Sequence, residues 1–261
     1  MSHYIAYRPH TFKQHFMNTE TTIYQLENQL KLKGMAAKMK SFMEMPYQSR
    51  PTLEMAIAEM IEAELIHRKN VKTEQLLKAS KLRFKTPLQD IVCSTERNLT
   101  RNQVDSLGTC DFILQGRHVI ITGKAGCGKT WLSCAIGRQA CLLGYKVAFF
   151  NMIKFSEEVT TASLTGNFLK YMDKLMKYDL IILDDFALRS IDEQTRIALY
   201  QLLDGNKENY RLSIIITSQL PTEDWYDYLK PGSQTESILD RLFSYAEKIT
   251  LRGKSLRKKE K

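Results

Sequence analysis

Eight consecutive residues, Gly123-Lys124-Ala125-Gly126-Cys127-Gly128-Lys129-Thr130, constrain this chain more than any other feature, because they match G-x-x-x-x-G-K-[ST] at every fixed position. The pattern carries meaning only between a strand and a helix. Both flanks are present: His118–Thr122 is a short β-branched run, and Lys129–Leu143 reads as a helix. Glycines let the backbone curl until successive N–H groups face phosphate oxygens, and the helix N-terminus adds partial positive charge. Lys129 is placed to reach the β- and γ-phosphates, and the Thr130 hydroxyl to hold Mg²⁺. The spacing predicts a phosphate cradle built from Gly123, Lys124, Ala125, Gly126, Cys127, Gly128, Lys129 and Thr130, with Cys127 filling a free position of the loop; ATP is the expected nucleotide, and the adjoining Trp131 is a further candidate contact.

Short β-branched runs and helical patterns alternate beyond the loop. Strands are predicted at Lys146–Phe150, Asp179–Leu183, Ser213–Thr217 and Glu247–Leu251, and helices over Phe155–Met176, Asp192–Asn206 and Glu236–Tyr245. Near-continuous apolar runs such as Leu180-Ile181-Ile182-Leu183 suit strands buried on both faces, and the alternation predicts an α/β fold with a parallel sheet flanked by helices. The run at Leu180 leads directly into Asp184-Asp185, at the sheet edge where open α/β folds bind ligands. Asp184 is read as a Mg²⁺ ligand and Asp185 as the group that orients the attacking water; taken alone, the pair reads equally as a strand-ending turn. An Asp is one methylene shorter than the Glu common at that position, so the sequence supports binding better than hydrolysis. Thr217-Ser218-Gln219 closes the next strand. Gln219 or Ser218 is the candidate to reach the γ-phosphate or the lytic water, against a plain polar cap before Pro221.

The net charge of +9 is unevenly placed. Residues 1–110 carry 16 Lys+Arg against 11 Asp+Glu, residues 111–251 carry 16 against 17, and residues 252–261 carry 6 against 1. The surplus therefore lies outside the nucleotide segment, which points to a polyanionic partner, with a merely solvated basic surface as the alternative. From Thr22 to about Ser80 apolar residues recur at helical spacing (Leu26, Leu30, Met35, Met39, Phe42, Met43, then Met60, Ile61 and Leu65), with a break between Pro46 and Pro51. These patterns predict an all-α, basic N-terminal domain over 1–90, whose methionines belong to its core, a nucleotide domain over 91–251 and a basic tail over 252–261. No run approaches the roughly 20 apolar residues that span a bilayer, and the N-terminus has no apolar signal core, so the expectation is a cytoplasmic protein without membrane contact. Five cysteines without a C-x-x-C pair signal neither a disulfide framework nor a zinc site.

The chain resembles AAA+ ATPases of the IstB-like and DnaC-like group, and more closely the IstB-like helpers of insertion-sequence transposition. The residues that carry this are Leu32-Lys33-Gly34-Met35, Ala63-Glu64 with Arg68, Gly128 to Leu132, Leu183-Asp184-Asp185-Phe186, Ser218-Gln219-Leu220-Pro221 with Trp225, Asp240-Arg241-Leu242 and Gly253-x-Ser255-x-Arg257. The resemblance implies that Arg241 is an arginine finger reaching a neighbouring subunit's ATP, against an intrahelical or surface pair as the plainer reading. It also implies that the helical lid of most AAA+ proteins is missing, with Arg257 as the substitute for a lid arginine. The function implied is a Mg²⁺-dependent ATPase that assembles as a homo-oligomer on duplex DNA, largely without regard to sequence, and recruits or stimulates a cognate transposase. Two alternatives are a DnaC-like helicase loader and a P-loop kinase of small molecules, the latter disfavoured by the basic tail.

Overall fold

A computed structural model describes residues 18–204, 212–244 and 246–256. The chain divides into two compact units, Met1–Val71 and Lys72–Lys261.

In the first unit, helix α1 (Thr19–Tyr24) runs into a π-helical turn (Gln25–Gln29). Helix α2 (Lys33–Glu44) follows, then a 3₁₀ turn (Tyr47–Ser49) between the two prolines, then the start of α3 (Leu53–Ala79). Glu64 holds this unit together. Its buried carboxylate accepts the Gly34 N–H at 2.8 Å and the Met35 N–H at 3.3 Å, while Arg68 Nε donates to its second oxygen at 2.8 Å. It thus supplies, from another helix, acceptors for N-terminal donors of α2 that lack partners within their own helix. Glycine is required at position 34 by this close approach, since a Cβ there would lie 2.4 Å from the Ala63 carbonyl oxygen. The apolar stripe of α3 departs from a core pattern: Leu53, Ile57, Ile61 and Leu65, spaced by four, are exposed, and so are Met43, Met45 and Met55.

The second unit begins at Lys72, earlier than the expected range of 91–251. The end of α3 and the segment after it join the nucleotide unit: Leu76, Leu77, Leu82 and Leu88 pack against its core, and the Ser80 carbonyl accepts the Phe149 N–H at 2.9 Å. Helices α4 (Arg101–Gly108) and α5 (Asp111–Leu114) lead into β1 (His118–Gly123). The chain then alternates through α6 (Lys129–Leu142), β2 (Val147–Asn151), α7 (Met152–Leu164), α8 (Phe168–Leu175), β3 (Leu180–Phe186), α9 (Glu193–Asp204), β4 (Ser213–Ser218), α10 (Trp225–Tyr228), α11 (Ser233–Ser244) and β5 (Ala246–Leu251). All pairings are parallel, in the order β2-β3-β4-β1-β5. Period-two alternation sends Ile120, Ile181, Leu183, Ile214 and Ile216 into one core with residues of α7, α9 and α11. Val119, Ile121, Leu180, Ile182 and Ile215 enter a second core with residues of α4, α5 and α6. The order places β1 and β3 on either side of β4, so three C-terminal strand ends converge on one site.

Two elements differ from the sequence-based expectation. The helix expected over Phe155–Met176 is two helices, broken where Gly166 turns to φ 69° and the Asn167 N–H returns to the Ala162 carbonyl. Strand β3 runs on to Phe186, because a bulge lets the chain pass the two aspartates and rejoin β4 at Phe186↔Ser218. The expected helix ends at Asn206 and Tyr245, and Arg257, lie outside the described residues. Among the described residues, no helix is long and apolar enough to cross a membrane.

Candidate nucleotide-binding site

The loop after β1 opens α6 as its spacing predicts. Gly123, Gly126 and Gly128 adopt φ of 145°, 82° and 92°, a region that side chains disfavour, and Gly128 caps the helix. Lys129 Nζ reaches back across the loop, donating to the carbonyls of Gly123 at 2.7 Å and Lys124 at 3.1 Å. Beside the loop lies a cavity of about 410 Å³, within the usual range for small-molecule sites. Ala125, Gly126, Gly128, Lys129, Thr130 and Trp131 line it from the loop, joined by Asp185, Gln219 and Leu256. Its apolar side includes Phe84, whose ring lies 4.7 Å from that of Trp131, together with Ile91 and Val92.

Asp184 stands at the centre of the polar side. It is fully buried, and two hydroxyls converge on its Oδ1: Thr130 Oγ1 at 2.8 Å from the phosphate loop and Thr217 Oγ1 at 2.6 Å from β4. Burial pushes its carboxyl above the usual carboxylate range, against the pull of the Thr217 and Thr130 hydrogen bonds. Its Oδ2 is buried without a hydrogen-bond partner. This donor set fits Mg²⁺, a hard cation that takes few protein oxygens, commonly one or two carboxylates, and completes its shell with water and phosphate. Asp184 and Thr130 would hold it. Among the described residues no cluster of three His, Cys, Asp or Glu residues forms a protein-only metal cage.

Asp185 follows in left-handed backbone, φ 59°, at the bulge of β3. Its side chain is among those lining the cavity. Its N–H donates to Thr217 Oγ1 at 3.2 Å, and Asn151 Nδ2 donates to its Oδ2 at 3.2 Å. Thr217 therefore braces both aspartates. Of the three polar residues ending β4, Ser218 turns inward, donating to the Phe186 carbonyl at 2.8 Å and accepting the Leu220 N–H, while Gln219 lines the cavity.

Arg241 is not among the residues lining this cavity. On α11 its guanidinium donates to Asp204 Oδ1 at 2.8 Å and to the Ser237 carbonyl at 3.2 Å, and lies 4.8 Å from the Tyr200 ring centroid.

Sequence reasoning passed over Asn151, Thr217 as a brace, Phe84 and Arg97. Asn151 carried a readable signal, a polar residue closing an apolar strand, and the fold pairs it with Asp184 in register. Arg97 had none: it belongs to a 3₁₀ turn before the sheet, yet its Nη2 donates to the Cys127 carbonyl at 2.8 Å and its side chain lines the cavity.

A parallel sheet in this order, with a phosphate loop after β1 and an acidic end on β3, defines a P-loop protein of the AAA+ class. Solved AAA+ structures share the fold. The DnaC helicase loader superposes with a TM-score of 0.53 over 66% of this chain and 99% of that one, at 16% identity. AMPPCP-bound DnaA from Aquifex aeolicus gives 0.53 over 65% and 51%, at 21% identity. The chain belongs to the family of IstB-like ATP binding proteins, whose family model matches residues 25–261. Its relatives include the IS1162 insertion-sequence ATP-binding protein of Pseudomonas fluorescens, 32% identical over 79% of this chain and 88% of its own length. The IS21 counterpart of Pseudomonas aeruginosa is 24% identical over 90% and 88%.

Proposed function

We propose that this protein is a Mg²⁺-dependent ATPase that assembles as a homo-oligomer on duplex DNA in the cytoplasm and recruits or stimulates a transposase, with hydrolysis controlling the assembly. The observation that carries the ATP site is the bare Oδ2 of Asp184, whose other oxygen is tied to the phosphate loop by Thr130. A buried carboxylate oxygen without a partner calls for a ligand. Bound Mg²⁺ would neutralise charge on the β- and γ-phosphates.

The chain's own groups supply the rest. Lys129 exchanges its two loop carbonyls for phosphate oxygens, and the loop N–H groups hold the β-phosphate. Asp185, oriented by Asn151, aligns the attacking water, and Gln219 contacts the γ-phosphate or that water from the end of β4. Arg241 serves a neighbouring subunit, its guanidinium leaving Asp204 for the γ-phosphate across the interface. The basic surplus of residues 1–110 and 252–261 supplies phosphate contacts along DNA, which position without reading sequence. The relatives' association with insertion sequences supports transposition as the setting.

Titration calorimetry with ATP and Mg²⁺, paired with gel-shift and sedimentation on duplex DNA, tests this reading. The full chain is expected to bind ATP, Lys129→Ala to lose binding while keeping its fold, and the protein–DNA assembly to grow only with ATP. ATP binding without any change in assembly or DNA affinity defeats the switch. Preference for single strands together with capture of a hexameric helicase supports the loader reading instead.

A further inference from the structure

Two groups outside the phosphate loop grip its carbonyls, and we infer that they, Arg97 and the backbone of Leu256, are positioning groups that aim the loop's N–H donors at the phosphates. The inference rests on the ATP-site reading above and extends it to residues remote from the loop in sequence. The carbonyl of Gly126 accepts the Leu256 N–H at 3.0 Å, and the carbonyl of the next residue, Cys127, accepts Arg97 Nη2 at 2.8 Å. In a trans peptide the C=O and the following N–H point in opposite directions. Holding these two carbonyls toward Leu256 and Arg97 turns the N–H groups of Cys127 and Gly128 the other way. The Cys127 N–H does point away from them, reaching the Lys124 carbonyl across the loop at 3.4 Å.

The anchors sit directly on the glycine positions. A Cβ on Gly126 would lie 2.2 Å from Ser255 Oγ, and one on Gly128 would lie 2.9 Å from Arg97 Nη2. These glycines therefore serve two demands, positive φ and room for the anchors. The anchors are themselves fixed to each other's segments. Ser94 Oγ accepts the Arg97 N–H, the Arg97 carbonyl accepts the Arg252 N–H at 3.0 Å, and Asn98 Nδ2 donates to the Thr250 carbonyl at 2.9 Å. Residues 94–98 and the chain leaving β5 thus form one hydrogen-bonded brace beside the loop, at the cavity wall. A cradle held in its binding shape loses less conformational freedom when phosphate enters, so the brace raises affinity by pre-organisation.

Two single-group deletions in the full chain test this by calorimetry with ATP and Mg²⁺. Arg97→Met keeps length and removes the donor. Leu256→Pro removes one backbone N–H, with Leu256→Ala as the control that keeps it. Loss of one charge-assisted or backbone hydrogen bond is expected to weaken ATP and ADP binding about tenfold, in Arg97→Met against the parent and in Leu256→Pro against Leu256→Ala, which alters the same cavity-lining side chain but keeps the N–H. The exposed Lys254→Ala is expected to stay within about twofold of the parent, below the effect of one lost hydrogen bond. The melting temperature of the nucleotide-free chain is expected to hold in every variant. Parent-like affinity in Arg97→Met together with equal affinity in Leu256→Pro and Leu256→Ala, in a chain whose Lys129→Ala variant has lost ATP, overturns the inference while leaving the ATP site intact. A fall in nucleotide-free melting temperature that accounts for the lost affinity overturns it too, because the role is then structural. Absence of ATP binding in the parent chain sinks the site reading itself.

Discussion

At Asp184 one oxygen receives two hydroxyls and the other receives none, an asymmetry that divides the side chain between holding the fold and meeting a ligand. Asp184→Asn keeps the shape and both threonine contacts but removes the charge; it is expected to lower Mg²⁺-ATP affinity about tenfold or more, as measured by calorimetry. Asn151→Ala frees the Asp185 carboxylate without touching the loop. The expected outcome in a phosphate-release assay is a kcat lower by about tenfold, less than the roughly hundredfold minimum for losing the group itself because Asp185 remains, with KM nearly unchanged. The loop and the Asp184-Asp185 strand end were legible in the sequence as contiguous patterns, although the pair taken alone reads equally as a strand-ending turn. Asn151, Thr217 and Arg97 were not, because a brace is recognised only by what it touches.

Among the elements, α9 shows how a loop is fastened beside the site. Asp192 precedes the helix, accepting the Thr195 N–H at 2.7 Å and the Thr160 hydroxyl at 2.6 Å, so one carboxylate caps α9 and ties it to α7. Asp192→Ala is expected to cost about 1 kcal/mol, seen as a lower urea midpoint. Burial pushes the Asp192 carboxyl up, but hydrogen bonds from Thr160 and Thr195 outweigh it and hold it below the usual carboxylate range. Glu64 behaves likewise: burial pushes up, while Arg68 and the Met35 and Gly34 N–H groups pull harder. For a depressed carboxyl the stabilisation is complete above the unfolded value, near pH 4, and is lost as pH falls through the folded value. Unfolding midpoints followed downward from pH 6 are expected to converge between the parent and Glu64→Gln as that range is crossed. The strands were readable from their apolar runs. The break at Gly166 was not, since a glycine in an amphipathic pattern is tolerated as often as it terminates, and the closing Asn167 N–H contact to Ala162 is three-dimensional.

For the whole molecule, Arg241 makes the decisive prediction. A guanidinium held by Asp204 and Tyr200 does not line its own cavity, in keeping with the service proposed for it at a neighbouring subunit. Arg241→Ala and Lys129→Ala are each expected to abolish turnover. Mixed together they are expected to recover part of it, the first supplying an intact cradle and the second an intact finger; a phosphate-release assay that stays silent in the mixture rejects the trans arrangement. Affinity for duplex DNA is expected to fall linearly in log–log form with salt, with a slope close to the number of phosphates contacted. Removing Lys258, Lys259 and Lys261 tests the tail's share, each lost contact reducing that slope by about one.

The amino-acid order by itself determined the phosphate cradle, the acidic strand end, the alternating α/β class and the charge asymmetry, because each depends on neighbours along the chain and on backbone preferences that act over a few residues. Tertiary structure alone decided where the two units divide, that Thr217 joins Thr130 on Asp184, that Arg241 rests on Asp204, and that Arg97 and Leu256 meet beside the loop. Those facts depend on strand order, which sets β1 between β4 and β5 and brings segments on either side of the sheet sequence to the same three glycines. Hydrogen bonds between residues so far apart leave no periodicity for a reader of the sequence to find.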